Sequence, residues 1–161
     1  MPPRPRTAAG GPAIQPRIET APALFRLLSD SALARAALSA CGVAVSLADA
    51  RAPGQPITYV NAAFERLFGY REAEARSRGV VDLLFRGDTQ LAQDLFGEPA
   101  SRRKLSAWSK DGGVLPVEVA VSALRGADGG VTHWILAFTD RSELERVREE
   151  LASLKSPAAA R

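Results

Sequence analysis

Residue types able to do covalent or metal chemistry are scarce in this 161-residue chain, which has one cysteine, Cys41, and one histidine, His133. A single cysteine forms no intramolecular disulfide. The two stand far apart in the sequence with no ligand spacing around them, so neither a zinc site nor a nucleophile–base pair is expected. Cys41 is expected to serve as a small buried hydrophobe, and Cys41→Ala should leave any function intact. His133, beside Trp134, is expected at a strand surface. Gly126, Gly129 and Gly130 suit a turn and not a phosphate cradle, because no strand–loop–helix unit surrounds them. Enzymatic activity is therefore not expected.

Composition bounds the remaining classes. Apolar residues make up 46% and charged residues 24% of the chain, which suits one globular domain with tails. The net charge is +3, and Arg4, Arg6 and Arg17 face only Glu19 in the first stretch. The folded part should then be near neutral, without the basic stripe that binding to nucleic acid requires. Residues 1–17 lack the apolar core of a signal peptide, and no apolar run is long enough for a bilayer. The expectation is a cytoplasmic protein with no membrane insertion. The Ala- and Arg-rich composition points to a high-GC bacterial source.

The elements that would position the scarce polar chemistry follow from periodicity. The Pro-, Gly- and Arg-rich start predicts a disordered tail over 1–20. Leu24, Leu27, Leu28, Leu33, Ala37 and Leu38 predict a flanking helix over 22–40, in one or two pieces. Val43, Val45 and Leu47 alternate and predict a strand over 43–48; residues 57–60 (ITYV) predict a second. Asn61 is placed to cap a helix over 62–68 that buries Phe64, Leu67 and Phe68 and ends at Gly69. Short helices are predicted at 72–76 and 80–85, and another after Asp88 carries Leu91, Leu95 and Phe96. A strand over 102–109 meets the Lys110-Asp111-Gly112-Gly113 hairpin signal. Val117, Val119 and Val121 alternate along the next strand, with Pro116 expected at its start. Residues 131–138 form the last strand. Asp140 and Glu143 have capping-box spacing before a helix over 141–155. Leu144, Val147, Leu151 and Leu154 step by three, four and three along it, a short coiled-coil seam. Residues 156–161 are expected to fray.

The phrases ITYVNAAFERLFGYREAEA at 57–75, SKDGGVLPVEVAVSAL at 109–124 and GADGGVTHWILAFTDRSE at 126–143, in this order, resemble the PAS superfamily. The resemblance covers residues 40–145 and implies an α+β PAS fold over 41–140. That fold is a five-stranded antiparallel sheet with short helices on one face and flanking N- and C-terminal helices. It further implies that ligands lie between sheet and helices, and that the sheet's other face and the flanking helices mediate dimerisation.

ADARAPGQPITYVN at 48–61 is most similar to the flavin-binding, blue-light LOV branch. Carried over position by position, the branch's adduct cysteine falls at or near Val81, and its flavin-edge amides fall near Val80 and Phe85 and at Ala107, Val117 and Phe138. All of these are apolar, and a flavin edge left unsatisfied in an apolar pocket costs a few kcal/mol per lost bond. Some PAS relatives hold haem through a histidine of the helical region, and residues 62–96 contain none. No cofactor is expected. Phe64, Val81, Ala107, Trp108, Val117, Val119 and Phe138 are the candidate pocket lining, to be filled as ordinary core.

The chain is expected to be a stand-alone module that acts on another chain. The expectation is a non-enzymatic signal-transduction module that homodimerises and binds a sensor histidine kinase or another PAS-containing protein. Leu24, Leu28, Leu144, Val147, Leu151 and Leu154 would form the contacts, and Asp140 and Glu143 would couple sheet to seam. The alternative is a small-molecule sensor, less readily for flavin or haem, that signals through its C-terminal helix.

Overall fold

Strict alternation makes the central strands. Val117, Val119 and Val121 are buried on one face, while Glu118, Ala120 and Ser122 look the other way. Successive side chains of a strand point to opposite faces, so such a pattern settles when one face meets the helices. The structure, a computed structural model, describes residues 32–40, 42–97 and 102–156. Its elements are α1 (Ala32–Ala40), β1 (Ala44–Asp49), β2 (Ile57–Val60), α2 (Ala62–Phe68), α3 (Glu72–Ala75), α4 (Val80–Phe85), α5 (Thr89–Gly97), β3 (Arg102–Trp108), β4 (Val114–Arg125), β5 (Val131–Asp140) and α6 (Ser142–Lys155). Of the helix expected over 22–40, only Ala32–Ala40 lies within the described residues; Leu24, Leu28, Cys41 and the expected tail over 1–20 lie outside them.

The five strands form one antiparallel sheet in the order β2-β1-β5-β4-β3. β5 lies at the centre, pairing Ala44 with Phe138 on β1 and Val119 with Phe138 on β4. The ladders run further than the alternation suggests. β4 has 12 residues and β5 has 10, since backbone pairing continues past the last buried side chain.

Pro116 does not start its strand. It is the third residue of β4, opposite Ser106 on β3, and its carbonyl accepts from Arg141 N at 2.8 Å. The N and O of one strand residue face the same neighbour, so the missing amide of Pro116 also faces Arg141 and leaves the β3 ladder intact. The β4–β5 pairing accordingly ends at Val117 and Asp140, and the chain turns into α6.

The helices between β2 and β3 cover one face. In α4 every residue except Asp82 is buried, and α5 contributes Leu95 with half-buried Leu91, Ala92 and Phe96. Gly69 ends α2 at φ +80°, a left-handed conformation that costs a residue with a Cβ about 1 kcal/mol, with its amide on Glu65 O at 2.9 Å.

Candidate functional site

The space between sheet and helices is built around Asn61, which is 1% exposed. Its Oδ1 accepts from Phe64 N at 3.0 Å, the expected helix cap. The same oxygen accepts from Val45 N at 2.9 Å. Its Nδ2 donates to Leu38 O at 2.8 Å and Val43 O at 2.7 Å. One amide thus holds α1, the approach to β1 and the start of α2, and all four of its hydrogen-bonding positions are used.

The six buried residues expected to line the interior all meet in one cluster: Phe64, Ala107, Val117 and Val119 at 0%, Phe138 at 1% and Val81 at 8% exposure. Phe68 completes it. The Phe64 and Phe68 rings lie 4.8 Å apart, Phe64 and Phe138 5.8 Å, and Phe68 and Phe138 5.2 Å, the last two edge to face. Such pairs contribute about 0.5–1.5 kcal/mol each beyond their burial. Phe68 was legible as a helix-face residue, but its meeting with Phe138, from the far end of the chain, was not. Trp108 stands apart from this cluster: it is half-buried at the end of the edge strand β3, with the Arg86 guanidinium 4.4 Å above its ring.

Flavin does not fit this interior. Ala107, Val117 and Phe138 offer its polar edge no donor or acceptor, Val80 and Phe85 are buried core, and Val81 has no thiol. Two polar atoms on the helix-covered face do lack a partner among the described residues, Ser46 Oγ and Trp134 Nε1. Ser46 is fully buried, and Trp134 packs against Phe96 at 5.2 Å. On the outer side of Phe96 a cleft of about 510 Å³ is lined by Gln55, Val80, Val81, Ala92, Gln93 and Phe96 among others.

The β3–β4 hairpin closes over α2 and α3. Lys110 N donates to Phe68 O at 2.8 Å, and its ammonium pairs with Glu74. That bond and the Arg71 amide hold the Glu74 carboxyl below its usual range; the Ser109 hydroxyl and Gly113 amide do the same for Asp111.

The exit from β5 is organised differently from the expected capping box. Asp140 Oδ1 accepts from Ser142 N at 2.8 Å and from Ser142 Oγ at 2.6 Å, while Arg141 occupies the cap position. Glu143 is exposed. The residue that ties sheet to helix is Arg141, whose side chain is 10% exposed: it pairs with Glu118 on β4 at 3.0 Å and Glu145 on α6 at 3.4 Å. Nothing local marks Arg141, because Glu118 lies 23 residues away. Beyond this anchor α6 buries none of its residues; Leu144, Val147, Leu151 and Leu154 are 44%, 41%, 51% and 80% exposed.

His133 is half-buried on the sheet's other face, opposite Asp49. Burial lowers its pKa below the ordinary value, against the raising effect of Asp49. Among the described residues no three His, Cys, Asp or Glu side chains converge as a metal site, and no helix is long and apolar enough to cross a membrane.

Comparison with known proteins places these features. A family profile described as the PAS fold matches residues 33–141. Among solved structures, "an RNA-binding Light-Oxygen-Voltage Receptor" is similar at 28% identity and a TM-score of 0.63, over 95% of this chain and 42% of that one. This chain therefore spans less than half of that relative. A Light-Oxygen-Voltage domain studied with a flavin analogue is similar at 22% identity and a TM-score of 0.60, over 78% of this chain and 96% of that one. The PAS domain of the fruit-fly ELK potassium channel is similar at 18% identity and a TM-score of 0.55, over 65% and 91%. A search of curated proteins finds no match.

Proposed function

The chain belongs to the PAS fold family, and from that premise we propose that it is a non-enzymatic signalling module that homodimerises and regulates a sensor histidine kinase or another PAS-containing protein by direct contact. The observation that carries this is the contrast between its two apolar surfaces. The interior is closed by Phe64, Phe68 and Phe138, whereas α6 displays Leu144, Val147, Leu151 and Leu154 to solvent. Four large apolar side chains in a row on one exposed helix face mark an interaction surface. Arg141 joins that helix to β4 through Glu118, the route by which a change in the sheet would reach the contact surface. The expected couplers, Asp140 and Glu143, contribute the turn and the flank of this joint.

The test is autophosphorylation of purified sensor histidine kinases from the source organism, each with and without a stoichiometric amount of the purified protein. A changed rate for one kinase, abolished by Leu144→Asp with Leu151→Asp, supports the proposal. Unchanged rates for all of them refute it.

A second reading rests on Trp134 Nε1 and Ser46 Oγ. Buried polar atoms without partners cost about 1–3 kcal/mol each, and a small molecule with an acceptor, entering from the cleft beside Phe96, would approach Trp134 Nε1 past the ring that packs on it. Its signal would be its differential affinity for two positions of α6. Mass spectrometry of a denatured extract checks it: a stoichiometric organic molecule supports this reading, and a clean extract refutes it.

A further inference from the structure

The exposed stripe of α6 also carries the information that orients its partner. Setting Leu144 and Leu151 at the first core position of a heptad and Val147 and Leu154 at the second places Glu143 and Glu150 on one flank, and Arg148 and Lys155 on the other. All four flanking side chains are exposed. One flank is wholly acidic and the other wholly basic.

We propose that α6 pairs with α6 of a second copy of this chain, parallel and in register, through the Leu144–Val147–Leu151–Leu154 seam; this rests on the homodimer reading above. In a parallel two-stranded pairing each acidic flanking residue meets the basic one five positions on. Glu143 then meets Arg148 of the partner subunit, and Glu150 meets Lys155 of the partner subunit. The two-fold axis repeats both contacts, giving four attractive pairs. In an antiparallel pairing like flanks meet, acid against acid and base against base. The apolar stripe permits both arrangements, and the charges reject one of them.

Within the helix nothing competes strongly for these charges. Arg148 reaches Glu145 at 3.6 Å and Glu150 reaches Arg146 at 3.9 Å, both exposed contacts. Glu143 and Lys155 have no ion pair among the described residues. The anchor at Arg141 fixes where the seam begins relative to the sheet, so parallel pairing sets the two domains side by side about one axis. The described seam covers two heptads, which makes the pairing concentration-dependent.

The test uses the full chain in sedimentation equilibrium at low salt. Glu143→Lys with Glu150→Lys turns all four pairs repulsive and should weaken dimerisation about thirtyfold, at the strength of exposed ion pairs. Adding Arg148→Glu and Lys155→Glu to the same chain reverses both flanks and should restore the wild-type constant. In a Cys41→Ala background, Leu154→Cys should crosslink two copies on mild oxidation, because parallel pairing brings residue 154 against itself. A double variant no weaker than wild type, a fourfold variant that stays weak, or no crosslink refutes the pairing. A dimer indifferent to every flank change leaves the homodimer reading standing and removes this one. A monomeric wild type removes both.

Discussion

Replacing Asn61 by alanine tests whether one buried amide holds the entrance of this fold together. The change removes the α2 cap to Phe64 N, worth about 1 kcal/mol. It also removes the acceptor of Val45 N and the donor to Leu38 O and Val43 O. Each such bond contributes about 0.5–1.5 kcal/mol, more where a buried group is left unsatisfied. Together these give a loss of roughly 3 kcal/mol, a large part of the 5–15 kcal/mol typical of a domain. Urea denaturation reads it directly: with a slope near 1.5 kcal/mol/M the midpoint falls by about 2 M. Asn61→Ser keeps a cap oxygen but is too short to span to the Leu38 and Val43 carbonyls, and should recover about 1 kcal/mol. Asn61→Asp keeps the acceptor and directs a buried carboxylate at those carbonyls, so relative to wild type it should gain stability as pH falls. A loss below about 1 kcal/mol for Asn61→Ala would refute the reasoning, because it would mean water satisfies these groups as well as the amide does.

Phe68→Ala should cost about 3–5 kcal/mol in the same urea assay, since it opens a cavity between Phe64 and Phe138. Arg141→Ala removes the bond to Glu118 and should cost about 1–3 kcal/mol. By hydrogen exchange, α6 amides should then lose protection while those of β1 and β5 keep theirs. His133 has its folded pKa held below the unfolded value of 6.5. The unfolded state therefore binds the proton first, and this contribution is intact above that value and lost as pH falls through the lowered folded pKa. Thermal melts from pH 8 to 5 should show His133→Gln losing less stability over that window than wild type does.

Much of the local structure could be derived from neighbouring residues alone. The Asn61 cap, the Gly69 stop, the Asp88 cap on Leu91 N and the Lys110–Gly113 hairpin all hold. Each depends on contacts between residues close in sequence, which spacing and side-chain chemistry determine. The capping box expected at Asp140 and Glu143 is replaced by the Arg141 joint, and Pro116 lies inside its strand. Both differences arise where a distant segment competes for the local groups: Glu118 draws Arg141 inward, and Arg141 N takes the carbonyl of Pro116.

The periods of two and 3.6, the turn residues and the apolar lining were therefore determined by the sequence itself, as was the 3-4-3 stripe of α6. The strand order, with β5 between β1 and β4, was decided by tertiary structure. So were the reach of Asn61 to Leu38, Val43 and Val45, and the meeting of the Phe64, Phe68 and Phe138 rings in the interior. Whether α6 turns its stripe to the domain or to solvent was decided there too. These depend on which surfaces meet across long stretches of chain, and a pattern that marks a residue as apolar is the same whether it fills a pocket, lines one or waits for a partner.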